Sequence, residues 1–269
     1  MRGARLFLFL AVPAAAALLG SCCGAFQSDD SKYKKAIECA DRITDERSLE
    51  ILRKGEFCCA PVPPDVKDRP AAKRFYLEQA RRLKPDAPEP LLAIAMTYWD
   101  EADYAGALEA YDEAIKLDPK PVMAVIGAFT MDRLLGRWDE AAERVKWIRG
   151  QKGIDAEKVG DYLEARLLYD QGRYADAEPL FRRAIERSER SDVSLGPTPY
   201  TLKDAHFYLA QIRLKAGDPQ GAHQEFLAFL KKMSDPDFQV WYAYWVPRMG
   251  SQQAEFYAKV EQDWVRVRQ

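Results

Sequence analysis

Small and aromatic residues recur along this chain at helical offsets, with charged residues between them. Tyr104, Ala107, Tyr111 and Ala114 form one such set, closed by Pro119. The set returns as Trp138, Ala141, Val145 and Ile148, then as Tyr174, Ala177, Phe181 and Ala184, and finally as Ala222, Phe226 and Phe229. Steps of three and four residues place each set on one face of an α-helix. A second helical pattern precedes each set, and the two meet at Ala102-Asp103, Gly136-Arg137, Gly172-Arg173 or Gly217-Asp218. Glycine reaches the positive φ that ends a helix without steric cost, so three junctions read as tight turns, while the fourth uses alanine. Small residues at Ala95, Ala165 and Ala210 are expected to face Ala107, Ala177 and Ala222, letting paired backbones approach closely. The aromatic residues Tyr104, Trp138 and Tyr174, with Tyr111, Phe181 and Phe226, are expected to fill the space inside and between hairpins. One hairpin cannot bury its own apolar face, so this stripe reads as core and not as a ligand box.

The period is 34 residues from Ala107 to Ala141, 36 from Ala141 to Ala177, and 45 from Ala177 to Ala222, the last stretched by Asp192 to Leu202. Spacing near 34 with this pattern resembles the tetratricopeptide repeat (TPR). The resemblance implies an all-α fold, a right-handed α-solenoid of about four TPR helix hairpins with N- and C-terminal capping helices. Pro88 to Lys120 gives the best unit. The next places Phe129 where a small residue is usual and Asp132 where an aromatic is usual. Units three and four, beginning near Glu157 and Lys203, restore the small residue but carry Leu168 and Arg213 at the aromatic position. Pro219 suits the opening of a helix capped by Asp218.

The N-terminus carries a different signal. Arg2 and Arg5 precede an apolar run from Leu6 to Leu19, too short to span a bilayer comfortably, and Leu19-Gly20-Ser21-Cys22 follows. The tetrapeptide resembles the lipobox of bacterial lipoproteins, which implies acylation of Cys22. The expected organisation is a lipoprotein signal peptide at 1–21, a lipidated tether at 22–30, an N-terminal helical cap with a divergent half-repeat at 31–86, the TPR array at 87–236, and an aromatic C-terminal cap at 237–269. Within 31–86, helices are expected over Ser31 to Ile43 and Asp45 to Lys54, and another starting at Asp68 and Pro70. The stretch Phe238 to Val246 reads either as part of a terminal helix pair or as an exposed aromatic surface.

Cysteine use bears on compartment. With Cys22 acylated, an oxidising environment would allow Cys39 to pair with Cys58 or Cys59 and pin the Pro-rich loop Pro61 to Pro64. A metal site is the sharper alternative for these thiols, but no histidine or spaced cysteine pair lies nearby. The 269 residues carry 40 basic and 42 acidic side chains, a formal charge of −2 that becomes −4 without Arg2 and Arg5. No basic field marks a nucleic-acid partner. His206 and His223, the two histidines of the chain, share no local motif with a nucleophile and read as partly buried helix residues. Asp161 and Glu164, like Asp204 near His206, read as helix-face charges, and no phosphate loop or metal-ligand pattern accompanies them. Neither catalysis nor a cofactor is expected.

Function is therefore sought in the groove that the first helices of such repeats line. The candidate contacts there are Met96, Trp99, Ile126, Arg133, Tyr162, Arg166, Tyr169 and Phe207, read as outward-facing. Leu92 with Met96, and Ile126 with Thr130, lack the Lys and Asn by which chaperone-binding relatives clamp a terminal carboxylate. The expected role is a membrane-anchored, non-catalytic scaffold or assembly factor binding an envelope or membrane protein, outside the cytoplasm and preferably on the outer membrane facing the periplasm. The alternative is an accessory lipoprotein binding a small apolar ligand for a transport system.

Overall fold

The computed structural model describes residues 28–54, 61–118, 120–151, 154–189, 203–233, 238–239 and 260–268. Among these residues there are helices and no strands. The first three are α1 (Asp29–Asp41), α2 (Glu46–Arg53) and α3 (Arg69–Leu83). Each begins at a side-chain cap: Ser28 accepts from the Ser31 N–H, Asp45 and Ser48 form a reciprocal capping box, and Asp68 accepts from the Ala71 N–H ahead of a first turn containing Pro70. The Ser28 cap is why α1 opens two residues before the expected Ser31.

The remaining helices are α4 (Glu89–Asp100), α5 (Tyr104–Leu117), α6 (Val122–Leu134), α7 (Trp138–Arg149), α8 (Ile154–Asp170), α9 (Tyr174–Glu189), α10 (Lys203–Lys215), α11 (Pro219–Lys231) and α12 (Val260–Arg268). Four of their connections share one geometry. After α4, the Asp103 N–H bonds to the Tyr98 carbonyl and the Ala102 N–H to that of Trp99, both at 2.9 Å. The same 6→1 and 5→2 pair closes α6, α8 and α10, so each first helix ends in a Schellman motif. The motif needs a left-handed residue at its centre: Gly136, Gly172 and Gly217 have φ between 72° and 76°, and Ala102 holds 58°. Asp103 and Asp218 then cap α5 and α11 by accepting from Gly106 and Gly221. Pro219 opens α11 as expected.

The chain divides into two compact units, one ending at Met131 and one beginning at Asp132. In the first, α1 packs on α3, α3 on α4 and α4 on α5. Cys39, Ala40, Leu49, Leu52, Ala72 and Tyr76 share a core with Ile94 and Ala95, and Ala107 and Leu108 of α5 meet Ala128 and Met131 of α6. Burial pushes the Tyr76 hydroxyl up to about 12. Arg74 ties α3 to α4 from the rim, bonding Thr97 and Glu101 with its guanidinium 4.5 Å over the Tyr98 ring.

In the second unit each helix from α7 to α10 packs on the next, and α12 packs on α11. The small residues expected at close helix contacts are sealed from solvent in both units: Ala95, Ala107, Ala165, Ala177, Ala210 and Ala222 are all at 0% exposure. One expectation is corrected. Trp138 does not fill the core and stays 39% exposed. Phe129, large where a small residue is usual, is buried, and the close approach in α6 is made by Gly127, where an added Cβ would stand 2.7 Å from Tyr111 Cε2 and closer still to Cε1 and Cζ.

Candidate functional site

The first helices carry the eight candidate contacts, and the structure separates them into three groups. Met96, on α4, is 54% exposed. Trp99 and Tyr169 are half-buried. Ile126, Arg133, Tyr162, Arg166 and Phe207 are buried, which corrects their reading as outward-facing. Tyr162 meets Phe181 edge-on at 6.0 Å, and Phe207 lies 5.3 Å from Tyr208 and 5.6 Å from Phe229. Long side chains lean back along the helix toward its N-terminus, and an aromatic ring has about 150–250 Å² to gain by turning onto a neighbour. Spacing alone does not reveal that lean.

The second unit gathers charge and aromatic rings on α8 and its neighbours. Arg133 at the end of α6 donates through Nη1 to Asp170 Oδ2, and Arg166 Nη2 approaches Asp170 Oδ1 at 3.7 Å. The Arg166 guanidinium lies 3.7 Å over the Tyr208 ring, and Tyr169 sits 5.0 Å from Tyr208 and 5.3 Å from Tyr174. Burial pushes the Tyr169 hydroxyl up to about 12, with the charge of Arg166 acting the other way. The Tyr169 hydroxyl is therefore a neutral donor at physiological pH, and the cluster offers π-faces and guanidinium groups but no acid–base pair.

Arg133 also explains Trp138. In the first unit Trp99, near the end of α4, covers Tyr104 at the start of α5, at 5.8 Å. In the second unit Tyr169 covers Tyr174 likewise at 5.3 Å. At the corresponding place before Trp138 stands Arg133, engaged with Asp170, and among the described residues no ring lies over the indole.

Sequence reasoning missed an ionic centre at Asp161, whose side chain is 1% exposed. It accepts from Arg149 Nη2 at 2.8 Å, from Arg183 Nη2 at 3.5 Å, and from Arg187 Nη1. Glu164 binds Arg149 at 2.6 Å and Glu157 binds Arg187 at 3.1 Å, so three guanidinium groups meet three carboxylates. Arg149 reaches this place across Gly160, where a Cβ would stand 2.6 Å from Arg149 Cγ. Asp161 is thus an internal tie among α7, α8 and α9, correcting its reading as a helix-face charge.

The histidines join carboxylates. His206 Nδ1 lies 2.9 Å from Glu225, which also accepts from Arg182 at 3.2 Å. Burial pushes the Glu225 carboxyl up, but the bonds and charges of His206 and Arg182 outweigh it and hold the carboxyl below its usual range. His223 Nε2 lies 3.0 Å from the buried Asp263 of α12, and Phe238 stacks on Trp264 of the same helix at 4.2 Å. Among the described residues no three His, Cys, Asp or Glu side chains are placed to hold a metal ion, and no helix is long and apolar enough to cross a membrane. Cys39 is buried and disulfide-bonded. Cys22, Cys58, Cys59 and the aromatic stretch from residue 240 lie outside the described residues.

Two tetratricopeptide-repeat family models match, one over residues 88–121 and one over residues 162–237. The chain carries tetratricopeptide repeats. The first match begins at Pro88 and spans α4 and α5, and the second covers the helices from within α8 to the end of α11. Among solved structures, PilF of Pseudomonas aeruginosa is similar over 87% of this chain and 100% of its own, with 13% identity and a TM-score of 0.53. MamA of Desulfovibrio magneticus RS-1 aligns over 76% of this chain and 96% of its own, with 16% identity and a TM-score of 0.49. PilW, a type IV pilus biogenesis factor, aligns over 80% and 99% with 18% identity and a TM-score of 0.48. No curated protein matches the sequence. At such identities the TPR likeness is one of fold, and function rests on the residues.

Proposed function

We propose that this TPR chain is a membrane-anchored, non-catalytic scaffold or assembly factor that binds another protein of the bacterial cell envelope. The observation that carries the reading is Met96: a large apolar side chain 54% exposed on a first helix, one turn from the half-buried Trp99. Nothing in the packing of α4 requires methionine there, and an exposed, pliable thioether beside an indole suits contact with a partner's apolar side chains. In the second unit Tyr169 is the contact we carry forward, since Tyr162, Arg166 and Phe207 are committed to packing between helices. The disulfide at Cys39 supports an oxidising compartment outside the cytoplasm. In this reading residues 1–21 are the signal peptide, Cys22 bears the acyl chains at the head of the 22–30 tether, 31–86 and 237–269 cap the 87–236 array, and the protein faces the periplasm from the outer membrane.

A photo-crosslinking residue at position 96, compared with one at position 147 on α7, tests the partner surface in intact membranes. One envelope protein should be captured from position 96 in yields that fall about tenfold with Trp99→Ala. Equal capture from both positions, or none from position 96, would reject the first-helix face. Mass analysis of the N-terminal peptide tests the anchor separately: Cys22 should carry fatty acid, and an unmodified Cys22 in membrane-extracted protein would remove the lipoprotein reading.

A further inference from the structure

The first unit repeats its packing pattern ahead of Pro88, where the first family match begins. Helix α1 packs on α3 and α3 on α4, the order in which α4 packs on α5 and α5 meets α6. The register repeats as well. Ala36, Cys39 and Ala40 are buried on α1 at the offsets of Leu91, Ile94 and Ala95 on α4. On α3, Leu77, Ala80 and Pro85 keep the spacing of Tyr111, Ala114 and Pro119. Residues 42–68, α2 among them, stand in place of the short turn Glu101 to Asp103, which lifts this hairpin out of the period that sequence spacing detects. Exposure follows the same register: Ile37 is half-buried and Asp41 exposed on α1, as Leu92 and Met96 are on α4. The two helices start side by side, for Lys84 lies 4.4 Å over the Tyr33 ring, and burial, then the charge of Glu89, pushes the Tyr33 hydroxyl up.

We propose that α1 and α3 form a further repeat hairpin whose first helix widens the partner surface, placing Ile37 and Asp41 beside Met96, and that the partner's bound segment carries an apolar side chain flanked by Lys or Arg. The inference rests on the partner reading above. Charge decides the flanks. Lys32, Lys34 and Lys35 of α1 each bond a carboxylate of their own helix, and α4 carries no cation. The exposed Asp41 and Asp100 meet no cation among the described residues. Each is the last residue of its helix, where the negative end of the helix dipole disfavours a carboxylate, so helix stability does not call for either. Both helix ends therefore present a carboxylate and unpaired carbonyls to a partner's cation, with Ile37, Leu92 and Met96 as the apolar ground between them.

Full-length protein in opened membranes, carrying a photo-crosslinking residue at position 41, 96 or 50, tests the surface; Glu50 is exposed on α2, within the inserted stretch. Positions 41 and 96 should capture the same protein through peptides that carry Lys or Arg beside the joined side chain, and position 50 should not. With the crosslinker at 96, Asp41→Asn should lower capture about two- to fivefold and Asp41→Lys further, while Glu50→Lys changes nothing. Raising salt from about 0.05 to 0.5 M should erase the difference between Asp41→Asn and the parent, because exposed charges are then screened; a merely structural role for Asp41 would leave that difference in place. Neither Asp41 variant should melt below the parent, since the carboxylate opposes the dipole of α1. Capture from 96 that ignores position 41 and its charge overturns the proposal and leaves the partner reading standing. Greater capture with Asp41→Lys means an acidic partner and also overturns it. No capture from 96, whatever position 41 does, rejects the partner reading and the proposal with it.

Discussion

Substituting Gly127 with alanine sets two opposed effects against each other, and the structure says which wins. Alanine in place of glycine within α6 should gain about 1 kcal/mol of helix propensity. The added Cβ would stand 2.7 Å from Tyr111 Cε2 and closer to Cε1 and Cζ, nearer than real methyl groups approach. Retreat of the ring is resisted, because the partly buried Tyr111 packs against three core clusters among the described residues of the first unit. Overpacking of this kind costs about 1–3 kcal/mol, and a rigid ring belongs at the upper end. A net loss of about 1–2 kcal/mol follows, or about 3–6 °C in melting temperature for a chain of this size. Thermal and urea unfolding followed by circular dichroism would measure it. Removing the ring reverses the sign: on a Tyr111→Ala background, Gly127→Ala should be neutral or stabilising by about 1 kcal/mol, and the coupling between the two changes is the quantity that isolates the contact. A single Gly127→Ala variant that melts higher than the parent would refute the close approach of Tyr111 to α6.

Three further outcomes are expected. Ala102→Gly should stabilise by about 0.5–1 kcal/mol, because the left-handed conformation costs alanine about 1–2 kcal/mol and the flexibility of glycine in the unfolded chain returns only part of that; an unchanged or lower melting temperature would contradict the φ of 58°. Tyr162→Ala should cost about 3 kcal/mol or more as a core truncation, whereas Tyr169→Ala should weaken partner capture with the smaller effect on stability; equal stability losses would erase the distinction. Because Glu225 is held below its usual range when folded, its contribution is fully present above the unfolded carboxyl value and is lost as pH falls through the folded one. Between about pH 5 and pH 3 the parent should therefore lose stability faster than Glu225→Gln, and parallel curves would count against the His206–Glu225–Arg182 bonds.

The helices and their turns were legible because local rules govern them. Apolar offsets of three and four fix a helix face, and Gly136, Gly172 and Gly217 announce the left-handed end of a first helix in a single residue. Even Ala102 was readable, since the repeat required a turn where the chain offered no glycine. Gly127 was not, because its role depends on Tyr111, sixteen residues earlier in sequence, and the local pattern singles out Phe129 as the misfit instead. The candidate groove was legible as a set of positions and misread as a set of directions. Whether Tyr162 points to solvent or to Phe181 depends on space left by Ala165 and Ala177, which have no exposed surface, and that space is a property of the assembled hairpin. Asp161 was read from its neighbours on α8, yet its partners lie 12, 22 and 26 residues away.

The two units show that one repeat backbone accepts two kinds of adhesive. In the first, alanines bring α4 and α5 together and Tyr111 fills the gap toward α6, so cohesion is apolar and scales with area removed from water. In the second, α8 still meets α9 through Ala165 and Ala177, but Asp161 also binds α7 and α9 by guanidinium groups. Such a centre is weak evidence for stability, since desolvating a carboxylate and its partners costs about as much as their attraction returns. What it supplies is selectivity. An apolar face can slide by a helical turn and still be apolar, whereas Arg149 must cross Gly160, and Arg183 and Arg187 must both stand on α9, for the buried carboxylate to be satisfied. Stripping one guanidinium would leave the others facing an undercompensated charge, so alternative registers of α8 are penalised more than the native one is stabilised. The irregular middle hairpin follows the same logic: Arg133 gives up the aromatic cover of Trp138 to reach Asp170, exchanging a contact within one repeat for a tie to the next, and the exposed indole is the physical trace of that exchange.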